Sequence, residues 1–243
     1  MRVVVVVQAR VRSSRLPAKV LLDLGGKTAL ERCVVRARAI AGVDDVVVAT
    51  PDGAADDPVA RLAKRLGCAV TRGSEIDVLD RFAQAAREHR AEVVMRVTSD
   101  CPLLDPVESG RVLSAFLASE ADYASNVISR RLPRGLDTEV FGRDALEEAD
   151  RSAVSSDERE HVTLHIYRRP DRFRLLEVVP PKGVDLSSKR WTLDTLEDYC
   201  FLHALFEHLG ERAHSSSIDD IVALLGRYPE LEALNAAVTQ KVV

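Results

Sequence analysis

The chain has 243 residues, of which 46% are hydrophobic and 30% are charged, with 12 Gly and 10 Pro. This composition excludes a collagen-like, low-complexity or disordered chain, and the length allows a buried core without a disulfide or a structural metal. The formal net charge of −4 argues against a nucleic-acid partner, because general nucleic-acid binders carry a basic excess. A small anionic ligand at a local basic cluster remains compatible with this charge.

The four cysteines are scattered along the chain and form no CxxC pair. This spacing argues against a zinc site and indicates reduced, intracellular thiols. The apolar run Val3–Val7 is far shorter than the roughly 20 residues of a membrane-spanning helix, and no signal-peptide cleavage pattern follows it. We therefore expect a soluble, cytoplasmic protein with no membrane contact.

Strand and helix patterns alternate through the first half of the chain. Strands are predicted at Val3–Val7, Asp45–Thr50, Cys68–Thr71 and Glu92–Val97, and helices at Thr28–Ile40, Asp57–Gly67, Asp77–His89 and Pro106–Ser119. This alternation predicts a parallel sheet with helices on both faces. The loops after Val7 and Val97 then lie at one edge of the sheet, where ligands of open α/β sheets bind.

The second half of the chain is less regular. Strands are predicted at Asp122–Asn126, Asp137–Phe141 and Phe173–Val179, and helices at Ser155–Tyr167, Thr195–Leu209 and Ser217–Leu225. We find no internal repeat and no long linker. The pattern therefore predicts one domain over residues 1–243, with a mixed sheet.

The loop after the first strand concentrates positive charge. Four cations and two serines lie within ten residues, at Arg10, Arg12, Ser13, Ser14, Arg15 and Lys19. Guanidinium groups bind phosphate oxygens bidentately, and ammonium, hydroxyl and backbone N–H groups supply further contacts. The Walker A pattern GxxxxGK[ST] is absent. We expect the loop to bind a polyphosphate; the alternative is a solvated basic loop.

Two aspartates are candidate metal ligands. Asp100 follows the fourth strand in a turn stiffened by Pro102, where a carboxylate can bind Mg²⁺ carried on a nucleotide. Asp194 is predicted to end a further strand, directly before Thr195, which forms a capping box with Asp198. If Asp100 and Asp194 both lie at strand ends, they share one divalent ion that neutralises phosphate charge. The alternative is an ordinary turn and helix cap at each position.

Other polar residues are candidates for binding the rest of a nucleotide and an acceptor. Asp137 and Glu139 alternate on one face of a predicted strand, and Arg159 and His161 are predicted at the start of a helix. These groups could bind sugar hydroxyls or an anionic acceptor; the alternative is a solvated edge strand and a surface helix. Segment 73–81 could reach a ribose or a base, or it is a plain N-capped helix start.

Three motifs, taken in order, resemble the cytidylyltransferase family. They are Gln8-Ala9-Arg10…Ser13-Ser14-Arg15-Leu16-Pro17…Lys19-Val20-Leu21, Asp100-Cys101-Pro102-Leu103 and Trp191-Thr192-Leu193-Asp194-Thr195…Glu197-Asp198. Within the family, the chain is most similar to the branch of spore coat polysaccharide biosynthesis protein F (SpsF), which is related to the CMP-sialic acid and CMP-KDO synthetases. The resemblance implies a GT-A-like three-layer α/β/α sandwich with a mostly parallel mixed sheet.

The resemblance also implies an activity. The chain would be a nucleotidyltransferase that uses CTP and Mg²⁺, transfers CMP to an anionic sugar or sugar-acid-like acceptor and releases pyrophosphate in polysaccharide or glycoconjugate precursor biosynthesis. Residues 1–120 would form the nucleotide-binding half, and residues 121–243 the acceptor-binding and closing half. Family members often form homodimers.

The resemblance implies a role for each motif residue by its position. The triphosphate would be held by Arg10, Ser13, Arg15 and Lys19, with Gln8, Ala9 and Ser14 in the same motif. Metal contacts would come from Asp100 and Asp194, base and ribose contacts from Gly73, Asp77 and Arg81, and acceptor contacts from Asp137, Glu139, Arg159 and His161. Catalysis would rest on Arg10, Arg15, Lys19 and Asp100.

Two positions depart from the family pattern, which usually has Gly where this chain has Arg12 and Ala18. Glycine there allows close approach of the backbone to phosphate, or a positive φ. These departures motivate the hypothesis of a catalytically weak nucleotide-binding regulatory paralogue. Two enzyme hypotheses also stay open, a nucleotidyltransferase that uses another nucleoside triphosphate and a GT-A glycosyltransferase. The glycosyltransferase is disfavoured because the loop carries more charge than a diphosphate needs.

Overall fold

The computed structural model describes residues 1–181 and 185–240. Its strands are β1 Val3–Gln8, β2 Asp45–Pro51, β3 Ala69–Gly73, β4 Val93–Thr98, β5 Tyr123–Ser125, β6 Glu139–Gly142 and β7 Leu175–Glu177. They form one sheet in the order β3-β2-β1-β4-β6-β5-β7. Strands β3, β2, β1 and β4 are parallel, β6 runs antiparallel to β4 and β5, and β7 is parallel to β5. The predicted mostly parallel, mixed sheet is confirmed.

The valine run of β1 occupies the centre of the sheet because both of its faces are apolar. Val3, Val5 and Val7 pack on one side, Val4 and Val6 pack on the other, and each is at most 3% exposed. Strands that are covered on both faces are typical of parallel sheets. The run therefore places β1 inside the sheet, and the basic loop that follows β1 begins at the edge of the sheet where this strand ends.

Helices cover both faces of the sheet. Their bounds are α1 Ala29–Arg38, α2 Asp57–Arg65, α3 Val78–Glu88, α4 Pro106–Leu117, α5 Arg143–Ser152, α6 Ser156–Glu160, α7 Leu164–Tyr167, α8 Leu196–Leu209, α9 Ile218–Arg227 and α10 Glu230–Ala233. Helices α1, α2 and α4 pack on one face, and α3 and α5 pack on the other. This arrangement is the expected three-layer α/β/α sandwich. Across residues 1–181 and 185–240, no helix has the length and apolar character needed to cross a membrane.

A third apolar cluster forms beside the sandwich, between α8 and α9. Phe201 and Phe206 of α8 pack there with Leu224 of α9, and Trp191 and Leu193 of the preceding segment are buried in the same cluster. The cluster therefore anchors the segment that precedes α8 and that carries Asp194.

The predicted elements of the first half are confirmed with shifts of a few residues at their ends. Thr28 caps α1 by accepting from the backbone N–H of Glu31, but the Glu31 carboxylate accepts from Lys27 Nζ at 2.9 Å. The start of α1 therefore has a threonine cap without a reciprocal capping box.

Two of the elements predicted in the second half are wrong, and helices are missing from the prediction. The helix predicted at Ser155–Tyr167 is two short helices, α6 and α7, because His161 has non-helical angles (φ −101°, ψ 51°). Helix α5, which lies between β6 and α6, was not predicted. The strand predicted from Asp137 begins only at Glu139, so these two acids do not alternate within one strand.

Candidate active site

Two loops leave the sheet side by side. Strands β1 and β4 end in register, with Gln8 opposite Thr98. Loop 9–18 follows β1 and loop 99–105 follows β4, so the parallel pairing brings the basic loop and Asp100 to the same edge, as predicted. Ser99 N–H donates to Gln8 O at 3.0 Å and joins the two loops directly.

Loop 9–18 folds back on itself. The N–H of Ala18 donates to Val11 O at 2.9 Å, and the N–H of Val11 donates to Asp56 Oδ1 at 2.6 Å. Ala18 adopts a left-handed backbone (φ 57°, ψ 21°), which is the conformation that the family's usual glycine would favour. The turn at Ala18 therefore keeps the left-handed backbone without glycine, and Lys19 follows it directly.

The ammonium of Lys19 bridges two carboxylates. Its Nζ lies 2.6 Å from Asp100 Oδ2 and 2.6 Å from Asp194 Oδ1. The side chains of Lys19, Asp100 and Asp194 are 13%, 22% and 16% exposed. Three motifs that are far apart in sequence thus meet at one nitrogen.

The charges of this group stabilise one another. Burial favours the neutral amine, but Asp100 and Asp194 outweigh it and raise the pKa of Lys19. Burial likewise opposes ionisation of Asp100, but the Lys19 ammonium outweighs it and lowers the pKa of that carboxyl. Lys19 and Asp100 are therefore both charged at neutral pH.

Asp194 reaches Asp100 through a loop. The prediction that Asp194 ends a strand is wrong, because residues 191–194 form no strand. Leu193 N–H instead donates to Asp100 O at 2.8 Å, and Thr192 Oγ1 donates to the same carbonyl at 3.2 Å. The predicted capping box of Thr195 with Asp198 at the start of α8 is confirmed.

A close contact fixes the start of this loop. Gly135 has φ +107°, and a Cβ at that position would lie 2.5 Å from Trp191 O. The N–H of Trp191 donates to Arg134 O at 2.7 Å. Only glycine fits this approach, which helps to place Asp194 against Lys19.

Asp194 also contacts two arginines. Its Oδ2 lies 3.1 Å from Arg15 Nη2 and 3.3 Å from Arg190 Nη2. Arg190 is 9% exposed and forms two 2.8 Å hydrogen bonds to Asp198. Arg190 was not among the predicted site residues, since nothing in its local sequence distinguishes it from a surface arginine.

A cavity of about 360 Å³ opens above Lys19, and we call it the basic cavity. Its lining includes the predicted polyphosphate residues Gln8, Arg10, Arg12, Ser13, Ser14, Arg15 and Lys19, together with Asp100 and Asp194. Arg10 lies 3.9 Å from Glu160, and Arg12 lies 3.1 Å from Glu75. Ala9 is 1% exposed and packs in the core beneath the loop.

Gly73, Asp77 and Arg81 do not line the basic cavity. Asp77 caps α3 by accepting from Asp80 N–H at 3.0 Å. Arg81 is fully buried and donates from Nη1 to Ser74 O, while its Nε and Nη2 have no hydrogen-bond partner among the described residues. Burial, with the nearby Arg10 adding to it, lowers the pKa of Arg81 to about 10.

A second cavity of about 880 Å³ adjoins the first, and we call it the wide cavity. Its polar lining includes Arg96, Arg130, Arg134, Asp137, Glu139 and His161, and its apolar lining includes Tyr123, Val127, Ile128, Tyr167 and Leu175. Three residues in the described ranges 1–181 and 185–240 line both cavities, namely Thr98, His161 and Gln240.

The two acids of the wide cavity are held by arginines. Glu139 is 7% exposed, contacts Arg96 Nη1, and accepts from Tyr123 Oη at 2.7 Å and from Thr163 Oγ1 at 2.6 Å. Burial opposes ionisation of Glu139, but Arg96 outweighs it and lowers the pKa of that carboxyl. Asp137 accepts two hydrogen bonds from Arg130, at 2.7 and 2.9 Å.

Arg159 and His161 lie at the end of a helix, so the prediction that they begin one is wrong. Arg159 lines neither cavity; its guanidinium binds Asp77 at 2.7 Å and Asp150 at 2.9 Å. His161 follows α6 and lines both cavities. Sequence reasoning missed Arg96, Arg130 and Arg134; an arginine inside the apolar β4 pattern was a signal for Arg96, and the other two gave none.

Two carboxylates are the candidate donor set for a metal ion. Within the part of the chain that the structure describes, no group of three or more His, Cys, Asp or Glu side chains is placed to hold one. Asp100 and Asp194 nevertheless converge on one cation position, where both now contact Lys19. Mg²⁺ in nucleotide sites typically takes one or two carboxylates together with phosphate oxygens and waters, so this pair fits a divalent ion carried by a polyphosphate.

Several known proteins are similar to this chain in sequence or in fold. SpsF of Bacillus subtilis, a spore coat polysaccharide biosynthesis protein, is 34% identical over 230 residues, which are 93% of this chain and 94% of that protein. The structure of a cytidylyltransferase from Leptospira borgpetersenii matches with a TM-score of 0.90 and 30% identity over 100% of both chains. A CMP:2-keto-3-deoxy-manno-octonic acid synthetase solved with CTP shares the fold, with a TM-score of 0.64 and 20% identity over 86% of this chain and 99% of that one.

The fold and these similarities define the chain as a nucleotidyltransferase with a GT-A-like fold. The sequence model described as "Cytidylyltransferase" matches residues 4–235. The chain belongs to the cytidylyltransferase family, and the resemblance of its motifs to the SpsF branch is confirmed.

Proposed function

We propose that this cytidylyltransferase transfers CMP from CTP to a hydroxyl of an anionic sugar acid and releases pyrophosphate. The observation that carries the proposal is a pair of adjoining cavities that share Thr98, His161 and Gln240, with Lys19, Asp100 and Asp194 in the lining of the basic cavity. One cavity is rich in cations and hydroxyls, and the other is wide enough for a sugar acid and is lined by further arginines. SpsF acts in polysaccharide biosynthesis by its name, and we propose a related precursor role here.

The basic cavity would bind the triphosphate. Arg10, Arg15 and Lys19 would neutralise the charge that builds on the leaving pyrophosphate, and Ser13, Ser14 and Gln8 would supply hydrogen bonds. Ala9 would support the loop from the core beneath it, since its own N–H donates to Ala49 O at 3.0 Å. Gly73, Asp77 and Arg81 would lie beside the base and ribose; the two nitrogens of Arg81 without hydrogen-bond partners support this assignment.

Asp100 and Asp194 would hold Mg²⁺, which supplies neutralisation of phosphate charge when it is bound. The Lys19 ammonium now shares their charge and would turn to the phosphates when the metal is present. The manganese complex of a protein with the same fold, Rv0371c of Mycobacterium tuberculosis, supports the use of a divalent ion.

The wide cavity would bind the acceptor. Arg130 and Arg134 would attract its carboxylate, and His161, Asp137 and Glu139 would contact its hydroxyls or its anionic group. The acceptor oxygen forms a bond to the α-phosphorus, the bond from that phosphorus to the bridging oxygen of pyrophosphate breaks in line, and the hydroxyl proton leaves to solvent. Catalysis would come mainly from positioning and charge neutralisation.

Arg159 would act at a distance from the acceptor. It ties Asp77 at the start of α3 to Asp150 of α5, and so it would hold the ribose side of the site in place.

We also propose a single domain, with residues 1–120 on the nucleotide side and 121–243 on the acceptor side, and a homodimer in the cytoplasm.

A screen for pyrophosphate release tests the proposal. The four common nucleoside triphosphates are each combined with Mg²⁺ and a panel of sugar acids, a sugar phosphate, a phosphonate and a polyol phosphate. We expect release with CTP and a sugar acid. Pyrophosphate release with another triphosphate and not with CTP would favour a nucleotidyltransferase that uses another base. CTP binding without pyrophosphate release on any acceptor would favour the regulatory paralogue.

Matched variants test the site assignment. Lys19→Ala and Asp100→Ala are each expected to lower turnover by orders of magnitude while the far-UV circular dichroism spectrum stays unchanged. Lys27→Ala is the control, because Lys27 pairs with Glu31 on the surface of α1 at 2.9 Å. Near-normal turnover in both site variants would contradict the assignment.

A further inference from the structure

The last described residues of the chain lie against the site. Asn235 is 5% exposed, and its Nδ2 donates to Arg190 O at 2.9 Å and to Asp198 Oδ1 at 3.0 Å. We call residues 235–240 the closing segment. Because Asn235 is buried against Arg190 and Asp198, this segment begins from a fixed point beside α8.

The closing segment ends between the two cavities. The side chain of Gln240 lines the basic cavity and the wide cavity, a position it shares with Thr98 and His161. Its Oε1 accepts from Arg190 Nη1 at 2.5 Å. Gln240 therefore lies at the boundary where an acceptor hydroxyl would have to meet the α-phosphate.

Arg190 ties this glutamine to the carboxylate pair. The same guanidinium donates to Asp198 at 2.8 Å from Nε and from Nη2, and its Nη2 lies 3.3 Å from Asp194 Oδ2. The side chain of Arg190 is 9% exposed, and these contacts to Asp198, Asp194 and Gln240 hold its guanidinium in one orientation. The positions of Gln240 and Asp194 are therefore coupled through one rigid side chain.

We propose that Gln240 is a specificity-determining residue that positions the acceptor against the α-phosphate. The proposal rests on the transfer reaction argued above. A carboxamide carries one acceptor oxygen and two N–H donors, which suits an acceptor that presents both a hydroxyl and a carboxylate. The family match ends at residue 235, so the residue lies outside the segment that defines the family, and it would adapt a shared reaction to the acceptor of this chain.

Steady-state kinetics with the acceptor identified in the screen tests this proposal. Gln240→Ala is expected to raise KM for the acceptor about tenfold or more, the usual scale for one hydrogen bond to a charged group, and to change KM for CTP less than threefold. Gln240→Glu is expected to raise the acceptor KM further, because it brings a negative charge beside an anionic substrate. Thr239→Ala is the matched control, since Thr239 is exposed in the same segment and lines neither cavity.

The outcomes separate this proposal from the proposed function. An active wild-type protein whose acceptor KM is unchanged in Gln240→Ala, relative to Thr239→Ala, would overturn the role of Gln240 alone. A wild-type protein that releases no pyrophosphate from CTP would overturn both. Equal increases in KM for CTP and for the acceptor, together with a lower melting temperature, would indicate a structural role for Gln240 and would also overturn the proposal. Gln240→Asn keeps the amide on a shorter side chain and provides a second variant for this comparison.

Discussion

Replacement of Lys19 by methionine would expose the repulsion that its ammonium now cancels. Asp100 Oδ2 and Asp194 Oδ1 each lie 2.6 Å from Nζ, so they are no more than about 5 Å apart. At an effective dielectric constant of about 20, two negative charges at this distance repel by about 3 kcal/mol. We expect Lys19→Met to lower the free energy of unfolding by about this amount near neutral pH.

The pH dependence identifies the cause. In the wild-type protein the pKa of Asp100 is lowered, so its contribution is present above the unfolded value of 3.8 and is lost as the pH falls through the lower folded value. In Lys19→Met one carboxyl acquires a raised pKa, so the destabilisation begins to shrink as the pH falls through that raised value and is gone only below the unfolded value of 3.8. The variant should therefore regain about half of its lost stability, on the order of 1–2 kcal/mol relative to the wild type, by about pH 5.

Urea denaturation at the two pH values measures this difference, and Lys27→Met is the control. Lys27 directly precedes the N-cap of α1 and pairs with Glu31 in its first turn. The two side chains are 33% and 23% exposed, so their pair contributes only about 0.3–0.5 kcal/mol. Mn²⁺ should stabilise Lys19→Met more than the wild type, because it replaces the missing cation. A variant whose stability deficit is the same at both pH values would refute this electrostatic explanation.

Three further predictions concern stability and thiol reactivity. Gly135→Ala should lower the free energy of unfolding by about 3 kcal/mol or more, and should lower turnover, because its Cβ would lie 2.5 Å from Trp191 O. Gly142→Ala is the control in the same urea experiment, since a Cβ there has no atom within 4 Å, and its free energy of unfolding should fall far less. Equal losses in the two variants would contradict the close contact. Ala18→Gly should raise the unfolding free energy by up to about 1 kcal/mol, since Ala18 has φ 57°, whereas a loss above that size would argue against a left-handed loop. All four cysteines lie in the described part, and a native thiol titration at mildly alkaline pH should detect Cys200 alone, because the other three are buried with raised pKa values; a second rapidly reacting thiol would contradict this.

The parts of the fold that follow from local chemistry could be predicted from the sequence. The valine run of β1 must be covered on both faces, so its place in the sheet and the position of the loop behind it follow. The spacing of Asp100 after β4 similarly places it at the same edge. Each of these predictions needed only strand periodicity and the rule that parallel strands share an edge.

The parts that depend on long-range contacts could not be predicted in this way. Asp194 reaches Lys19 through a loop that hydrogen-bonds to Asp100 O, and no local pattern distinguishes that loop from a strand. Arg159 joins two helices through Asp77 and Asp150, a partnership visible only once both helices are packed. The contribution of Arg190 depends in the same way on side chains brought together by the third apolar cluster.

A crystal structure with CTP and Mn²⁺ tests the central claim most directly, because anomalous scattering locates the metal without reference to the protein. The predicted result is a manganese ion bound by Asp100 and Asp194, with the triphosphate against Arg10 and Arg15 and with the Lys19 ammonium moved from the carboxylates to the phosphates. A triphosphate outside the basic cavity, or a metal ion that contacts neither aspartate, would contradict it.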